Sequence, residues 1–208
     1  MTFSEISNIL DDVVNQWLDS IDNEELRNTF AENVLVAGGS IGSLIRNETP
    51  NDYDLFFRNQ ETVNLISNYY QQYDNSGNFR IITITENAVT FENGIQLILK
   101  YSGDLKQLWN NFDFRHTKIG FDYRTKQIQY DNQAVLDSIN TRELFYEAFF
   151  NRDLGNLDLT LKRVRKRINE GWGINRPSYL ILLKQYSEKG GDLNKYKELT
   201  TFIIQNDV

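Results

Sequence analysis

A chain of 208 residues that is 40% hydrophobic and 13% aromatic has enough apolar surface to bury a core, and its length fits one domain with a small appendage. A formal charge of −7 argues against broad, sequence-independent gripping of nucleic acid and against long duplexes as partners, and the absence of cysteine excludes disulfides and thiolate metal sites. The N-terminus lacks the signature of a secretory signal and no apolar run approaches the roughly twenty residues that cross a bilayer, so the expectation is a soluble, cytoplasmic protein without a membrane partner.

Ile6, Ile9, Leu10, Val13, Val14, Trp17, Leu18 and Ile21 recur at helical spacing, which predicts an amphipathic helix over about residues 4 to 20. A second short helix over 23 to 33 delivers the chain to an apolar strand, Val34-Leu35-Val36-Ala37. Gly38-Gly39 follows, then a short amphipathic segment from Ser40 to Arg46, then Asp52-Tyr53-Asp54 at the head of a second apolar run, Leu55-Phe56-Phe57. Next come a helix over 60 to 73, a break at Asn75-Ser76-Gly77-Asn78, and strands over 79 to 85, 88 to 92 and 95 to 101, with Glu92-Asn93-Gly94 as a tight turn. A short helix over 104 to 110 leads to Phe112-Asp113-Phe114, and a hairpin pairs 118 to 122 with 127 to 130. From Asp131 onward the pattern is helical: Leu157, Leu161, Val164 and Ile168 form a stripe, and Lys189-Gly190-Gly191 separates helices over 178 to 188 and 192 to 205. The class is therefore α+β: a mixed β-sheet with flanking helices over residues 1–130 and a helical C-terminal segment over 131–208.

The chemistry concentrates around the double glycine. Strand alternation sends Asp52 and Asp54 to one face and Tyr53 to the other, which sets two hard oxygen ligands side by side. Their mutual repulsion is relieved by a divalent cation, and Mg²⁺ (or Mn²⁺) takes one or two carboxylates plus substrate phosphates. Gly38 and Gly39 let backbone approach a ligand where a Cβ would intrude, and Ser40 opens a helix whose N–H groups attract phosphate. Taken singly, the glycines are also explained as a strand-to-helix turn, and the aspartates as turn and capping residues after Pro50-Asn51. Together, between two apolar strands, they point to a metal-dependent nucleotide site. Lys162, Arg163, Arg165, Lys166 and Arg167 form a basic run that serves either as a solvated helix face or as a grip on a triphosphate or a short RNA end. The single histidine, His116, and the tryptophans Trp17, Trp109 and Trp172 read as structural, with base stacking by Trp172 as an alternative.

Gly38-Gly39-Ser40 followed by Asp52 and Asp54 resembles the signature of the DNA polymerase β-type nucleotidyltransferase superfamily, most nearly the poly(A) polymerase and tRNA CCA-adding branch and the small nucleotidyltransferase-like proteins of tailed bacteriophages. Residues 87 to 91 and 95 to 98 resemble the paired strands after the catalytic pair, Phe112-Asp113-Phe114 resembles a segment of the phage group, and residues 161 to 167 with Gly171-Trp172-Gly173 are similar in layout to the basic helix that closes the CCA-type pocket. Two departures stand out: Gly42-Ser43 replaces an Arg-Asp pair, and the third carboxylate of many members falls near the neutral Gln96. The resemblance implies transfer of an NMP from an NTP to a hydroxyl of an RNA 3′ end, a small molecule or a protein, in the host cytoplasm if the chain is phage-encoded. It implies Asp52 and Asp54 as catalytic metal ligands, Asp113 as a substitute third acid, and Gly38, Gly39, Ser40, Lys162, Arg163 and Lys166 as nucleotide-binding residues. The rival expectation, favoured by Gln96, is a protein that keeps the fold as a binding, regulatory or structural component without catalysis.

Overall fold

The computed structural model describes residues 1–72, 79–147 and 152–205, and the chain divides into two compact units. The first comprises Met1–Asn111 and Thr117–Gln133, the second Phe112–His116 and Ala134–Val208. Residues 112–116, which the sequence boundary assigns to the first domain, thus pack with the helical unit.

The first unit opens with α1 (Phe3–Leu18), whose first turn is closed by a reciprocal capping box between Thr2 and Glu5. Its buried stripe runs through Ile6, Leu10, Val13, Val14 and Trp17. The Trp17 ring lies 5.7 Å from that of Phe30 in α2 (Glu24–Asn33), and its indole N–H donates to the Tyr70 hydroxyl at 2.8 Å in α4 (Gln60–Gln71). The predicted end of α4 at Tyr73 and the break at 75 to 78 lie outside the described residues.

A seven-stranded sheet forms the body of this unit, in the order β3 (Ile81–Ile84), β4 (Ala88–Phe91), β5 (Ile95–Ser102), β2 (Tyr53–Phe57), β1 (Val34–Ala37), β6 (Ile119–Asp122), β7 (Gln127–Tyr130). Every neighbouring pair is antiparallel except β2 with β5, which makes the sheet mixed as expected. The parallel pair needs a crossover, and the passage through α4, β3 and β4 supplies it. β1 is buried at every position, β2 only from Leu55 onward, so the half-exposed end of β2 is the end that carries Asp54. α3 (Gly39–Ile45) follows β1, and α5 (Leu105–Trp109), capped by Asp104 and Gln107, follows β5.

The second unit contains α6 (Gln133–Thr141), α7 (Leu154–Asn169), α8 (Arg176–Glu188) and α9 (Lys197–Gln205) around Leu157, Leu161, Val164, Trp172, Tyr179 and Leu182. Only helices are expected here from sequence, yet β8 (Glu143–Leu144) pairs in parallel with β9 (Gly173–Ile174), and Phe114 bridges to Tyr146. Ladders of two residues are too short to print an alternating pattern. The final predicted helix is also divided, since Leu193–Tyr196 is a 3₁₀ turn before α9 begins. No helix among the described residues is long and apolar enough to cross a membrane.

Charge separates the two units. The first holds nine Lys and Arg against eighteen Asp and Glu, a net of −9, while the second holds thirteen against eleven, a net of +2.

Candidate nucleotide-binding site

β1 and β2 lie side by side, with Val36 opposite Leu55, so the glycine corner at the end of one strand meets the acidic start of the other. Gly38 has φ +103° and ψ −150°, a conformation that side chains other than glycine rarely adopt. Its N–H donates to the Ile119 carbonyl at 3.2 Å, which pins the corner to β6. A Cβ at Gly38 would stand 3.7 Å from Asp54 Oδ2, so the bare face of the glycine looks onto that carboxylate. Gly39 begins α3, and the next residue, Ser40, is only 5% exposed, with a buried hydroxyl that has no hydrogen-bond partner.

Asp52 sits one residue before β2 and is half-buried. The turn between β4 and β5 holds it from below: Tyr53 donates to the Gly94 carbonyl at 2.9 Å, and a Cβ at Gly94 would come within 3.2 Å of the Asn51 carbonyl and 3.8 Å of the Asp52 α-carbon. With φ at +84°, Gly94 meets both a conformational and a spatial demand. Tyr53 is half-buried, and burial raises its phenol pKa. Asp54 lies opposite Gln96 in register, and Gln96 lies opposite Thr90, so the position next to the acidic residue is held by an amide.

The remaining residues expected in the site belong to the second unit. Asp113, 4% exposed, gives one oxygen to Arg152 and the other to Arg163. For this expected third acid the local geometry is an ion-pair knot that accounts for a buried carboxylate by itself. Lys162 pairs with Asp158 at 3.0 Å and Lys166 with Glu170 at 4.0 Å, so each of the three basic residues has an acidic partner one turn or more away in its own unit. His116 is 2% exposed, with the Trp172 ring centroid 4.6 Å away, and Trp172 is itself core, which leaves base stacking without an accessible ring face.

Comparison with known proteins gives this corner a context. Residues 8–142 match the family described as "Gabija anti-defense 2 family protein". The chain belongs to the Gabija anti-defense 2 family. A curated relative, Gabija anti-defense 2 of Bacillus phage SPbetaL7, is 25% identical over 188 residues, which is 85% of this chain and 42% of that protein. The chain therefore spans less than half the length of this relative. Among solved structures, a CCA-adding enzyme with ATP is similar with a TM-score of 0.55 at 10% identity, covering 79% of this chain and 41% of that one. A CCA-adding enzyme with CTP gives 0.52 at 14% identity over 85% and 45%, and the Thermotoga maritima CCA-adding enzyme complexed with tRNA gives 0.51 at 13% over 84% and 45%. At these identities the likeness is one of fold: this family member shares the nucleotidyltransferase fold of the CCA-adding enzymes.

Within the family fold, the fit of the corner to a divalent ion can be judged on its donors. Asp52 and Asp54 supply hard oxygens, the type Mg²⁺ and Mn²⁺ prefer, and no group of three or more His, Cys, Asp or Glu among the described residues could hold a metal alone. Such a pair suits an ion that completes its shell with water and phosphate. The unpartnered Ser40 hydroxyl adds a donor close by in sequence to the glycine that faces Asp54. Two features escaped the sequence reading. Asp122, buried in β6, is paired with Arg58 at 2.5 Å, and Thr90 joins Gln96 beside Asp54. A charged residue in an otherwise apolar strand is the one signal that pointed to Asp122.

Proposed function

We propose that this chain is a metal-dependent nucleotidyltransferase that acts against the Gabija defence by moving an NMP from an NTP to a hydroxyl of one of its components, with release of pyrophosphate. The observation that carries the reading is the glycine corner: Gly38, in a backbone conformation reserved for glycine, turns its bare α-carbon to Asp54 Oδ2. A strand-to-helix turn alone has no need to face a carboxylate. Asp52 and Asp54 would hold Mg²⁺ or Mn²⁺, and when bound the ion lowers the pKa of the attacking hydroxyl and offsets charge on the polyphosphate.

The chain's own groups do the rest. Gly38 admits the polyphosphate close to the backbone, and Ser40 donates its hydroxyl to a phosphate oxygen, which gives that buried group the partner it lacks. The turn at Gly94 fixes the backbone on either side of Asp52, from which its carboxylate would reach the ion. The test is incubation of the protein with α-labelled NTPs, Mg²⁺ and a lysate of cells carrying Gabija. Label should enter a macromolecule with the wild-type chain and fail to do so with Asp52→Asn combined with Asp54→Asn. Equal labelling by the two proteins would end this reading.

One observation favours a second reading, a nucleotide-binding inhibitor that performs no transfer: the residue in register with Asp54 is Gln96, which cannot take a proton from an acceptor. In that case calorimetry would record Mg²⁺-dependent NTP binding that the double asparagine variant loses, with no label transferred by either protein.

A further inference from the structure

The turn that fixes the backbone around Asp52 carries the chain's one Asn-Gly step, Asn93-Gly94. It joins β4 to β5 as a β-turn closed by the Gly94 N–H, which donates to the Phe91 carbonyl at 3.2 Å. Asn93 is exposed and turns its side chain back over its own backbone, where Oδ1 accepts from the Ile95 N–H at 3.2 Å.

These features bear on a reaction within the turn itself. The Asn93 side-chain carbonyl carbon and the Gly94 nitrogen belong to neighbouring residues, so joining them closes a cyclic imide without a second molecule having to be brought up. Gly94 has no Cβ to obstruct that approach, whereas every other asparagine in the chain precedes a residue that has one. The Ile95 N–H points at the oxygen on which negative charge develops as the ring closes, so its hydrogen bond strengthens along the reaction. One contact opposes closure, since the Gly94 N–H must leave the Phe91 carbonyl. At 3.2 Å, beside exposed Glu92 and Asn93, that bond is at the long limit and opens locally.

We propose that Asn93 is a self-modification site, converted to isoaspartate with water as the only co-reactant, and that the conversion disables the glycine corner. The chemistry at Asn93 is independent of the nucleotide reading, and its effect on the corner rests on that reading. Hydroxide takes the Gly94 N–H proton, and the nitrogen forms a bond to the Asn93 side-chain carbonyl carbon as the bond to the side-chain amide nitrogen breaks. That nitrogen leaves with the electron pair and a proton from water, as ammonia. Water then opens the imide: at the side-chain carbonyl it leaves aspartate, and at the main-chain carbonyl it leaves isoaspartate, whose main chain runs through the side chain and is one methylene longer. Gly94 has no slack for that length. Its carbonyl holds the Tyr53 N–H at 2.9 Å, and its α-carbon lies so near the Asn51 carbonyl that a Cβ would come within 3.2 Å of it. A longer chain cannot keep both contacts, so the backbone on either side of Asp52 shifts. Aspartate keeps the chain length and an oxygen for the Ile95 N–H.

The experiment ages the full chain below its melting temperature in buffers of rising pH, then maps its peptides by mass spectrometry and labels isoaspartate with an isoaspartyl methyltransferase. Isoaspartate at Asn93 should exceed that at any other asparagine at least tenfold, at a rate that rises about tenfold per pH unit because hydroxide makes the nucleophile. Asn93→Ser keeps an oxygen for the Ile95 N–H but has no amide, and should age without the product. By calorimetry, the Mg²⁺-dependent NTP stoichiometry of aged wild type should fall in step with its isoaspartate content. Aged Asn93→Ser and fresh Asn93→Asp should bind within twofold of fresh wild type. Isoaspartate no higher at Asn93 than at Asn87 would overturn the modification site. Isoaspartate at Asn93 beside undiminished NTP binding would overturn its effect on the corner. Fresh wild type that binds no NTP would end the nucleotide reading instead, and the peptide map would still decide the chemistry at Asn93.

Discussion

The charge networks of the second unit and the glycine corner of the first treat their polar groups in opposite ways. In the networks these groups are answered: Asp113 by two arginines, and Asp158 by Lys195 at 2.5 Å, Tyr196 at 2.7 Å and Lys162 at 3.0 Å. At the corner of the first, the Ser40 hydroxyl is buried without a partner and Gly38 is held in a conformation that costs other residues energy. Closed networks hold a fold together, whereas a buried hydroxyl without a partner and a strained glycine are costs that a bound ligand can offset. On the proposed function, recognition belongs to this corner and stability to the charges of the second unit.

The largest effect that would break this comparison lies at Asp113. Asp113→Ala leaves two guanidinium groups beside a core site without their carboxylate, and removal of one partner from a buried ion pair costs about 3–5 kcal/mol. Arg163→Ala should cost under about 1 kcal/mol, because the Arg163 side chain is 61% exposed and its share of the pairing is screened by water. Urea unfolding followed by tryptophan fluorescence checks both. If Asp113→Ala instead kept full stability and lost nucleotide transfer, Asp113 would belong to the chemistry and the contrast would fail.

Gly38→Ala comes next. A Cβ fits, since its nearest neighbour would be Asp54 Oδ2 at 3.7 Å, but φ at +103° is strained for alanine by about 1–3 kcal/mol. Relief of that strain turns the corner away from Asp54, so NTP affinity should fall more than tenfold while thermal stability falls by only a few degrees. Calorimetry and a melting curve measured on the same sample separate the two effects.

Acid dependence sharpens the comparison further. Burial alone would raise the Asp122 pKa, but hydrogen bonding and charge from Arg58, helped by Thr125, hold it below the ordinary carboxylate value. Asp158 is held lower still, first by Lys195 and then, against its desolvation, by Tyr196 and Lys162. A carboxylate whose folded pKa is depressed contributes stability that is complete above its unfolded pKa and lost as pH falls through the folded one. Both units should therefore keep full stability at pH 6 and lose it progressively below about pH 4, where free carboxylates titrate. Asp122→Asn should flatten part of this acid slope, as read from urea midpoints at pH 6 and pH 3.

How much of this was legible in the sequence follows from the same distinction. The first unit declares itself because its signals are local: apolar spacing fixes α1, two apolar runs fix β1 and β2, and a double glycine before alternate aspartates marks the corner. The partnering of charges is not local. Asp113 and Arg163 are fifty residues apart, and Arg58 reaches Asp122 across the sheet, so the partners of these charges cannot be read from sequence spacing. Gln96 shows the intermediate case: its position as the neutral neighbour of the acidic pair was readable by resemblance, and the parallel pairing of β2 with β5 gives the physical reason.

The smallest expected effect is the most discriminating. In a stable fold with no ligand to serve, a buried hydroxyl lacking a partner is a cost, and Ser40→Ala should leave stability unchanged or raise it by up to about 1 kcal/mol. If the hydroxyl meets a phosphate oxygen, the same substitution should weaken Mg²⁺-dependent NTP binding about three- to tenfold, the worth of one hydrogen bond. Ser43→Ala is the control, since the Ser43 hydroxyl already donates to the Gly39 carbonyl at 3.3 Å within α3. That variant should lose a few tenths of a kcal/mol of stability, as roughly befits a weak local hydrogen bond, with no change in affinity. Opposite signs for stability and binding at Ser40, and not at Ser43, would show that the Ser40 hydroxyl serves a bound polyphosphate. Loss of both properties at Ser40 would show instead that its hydroxyl serves the fold, like the ion pairs of the second unit.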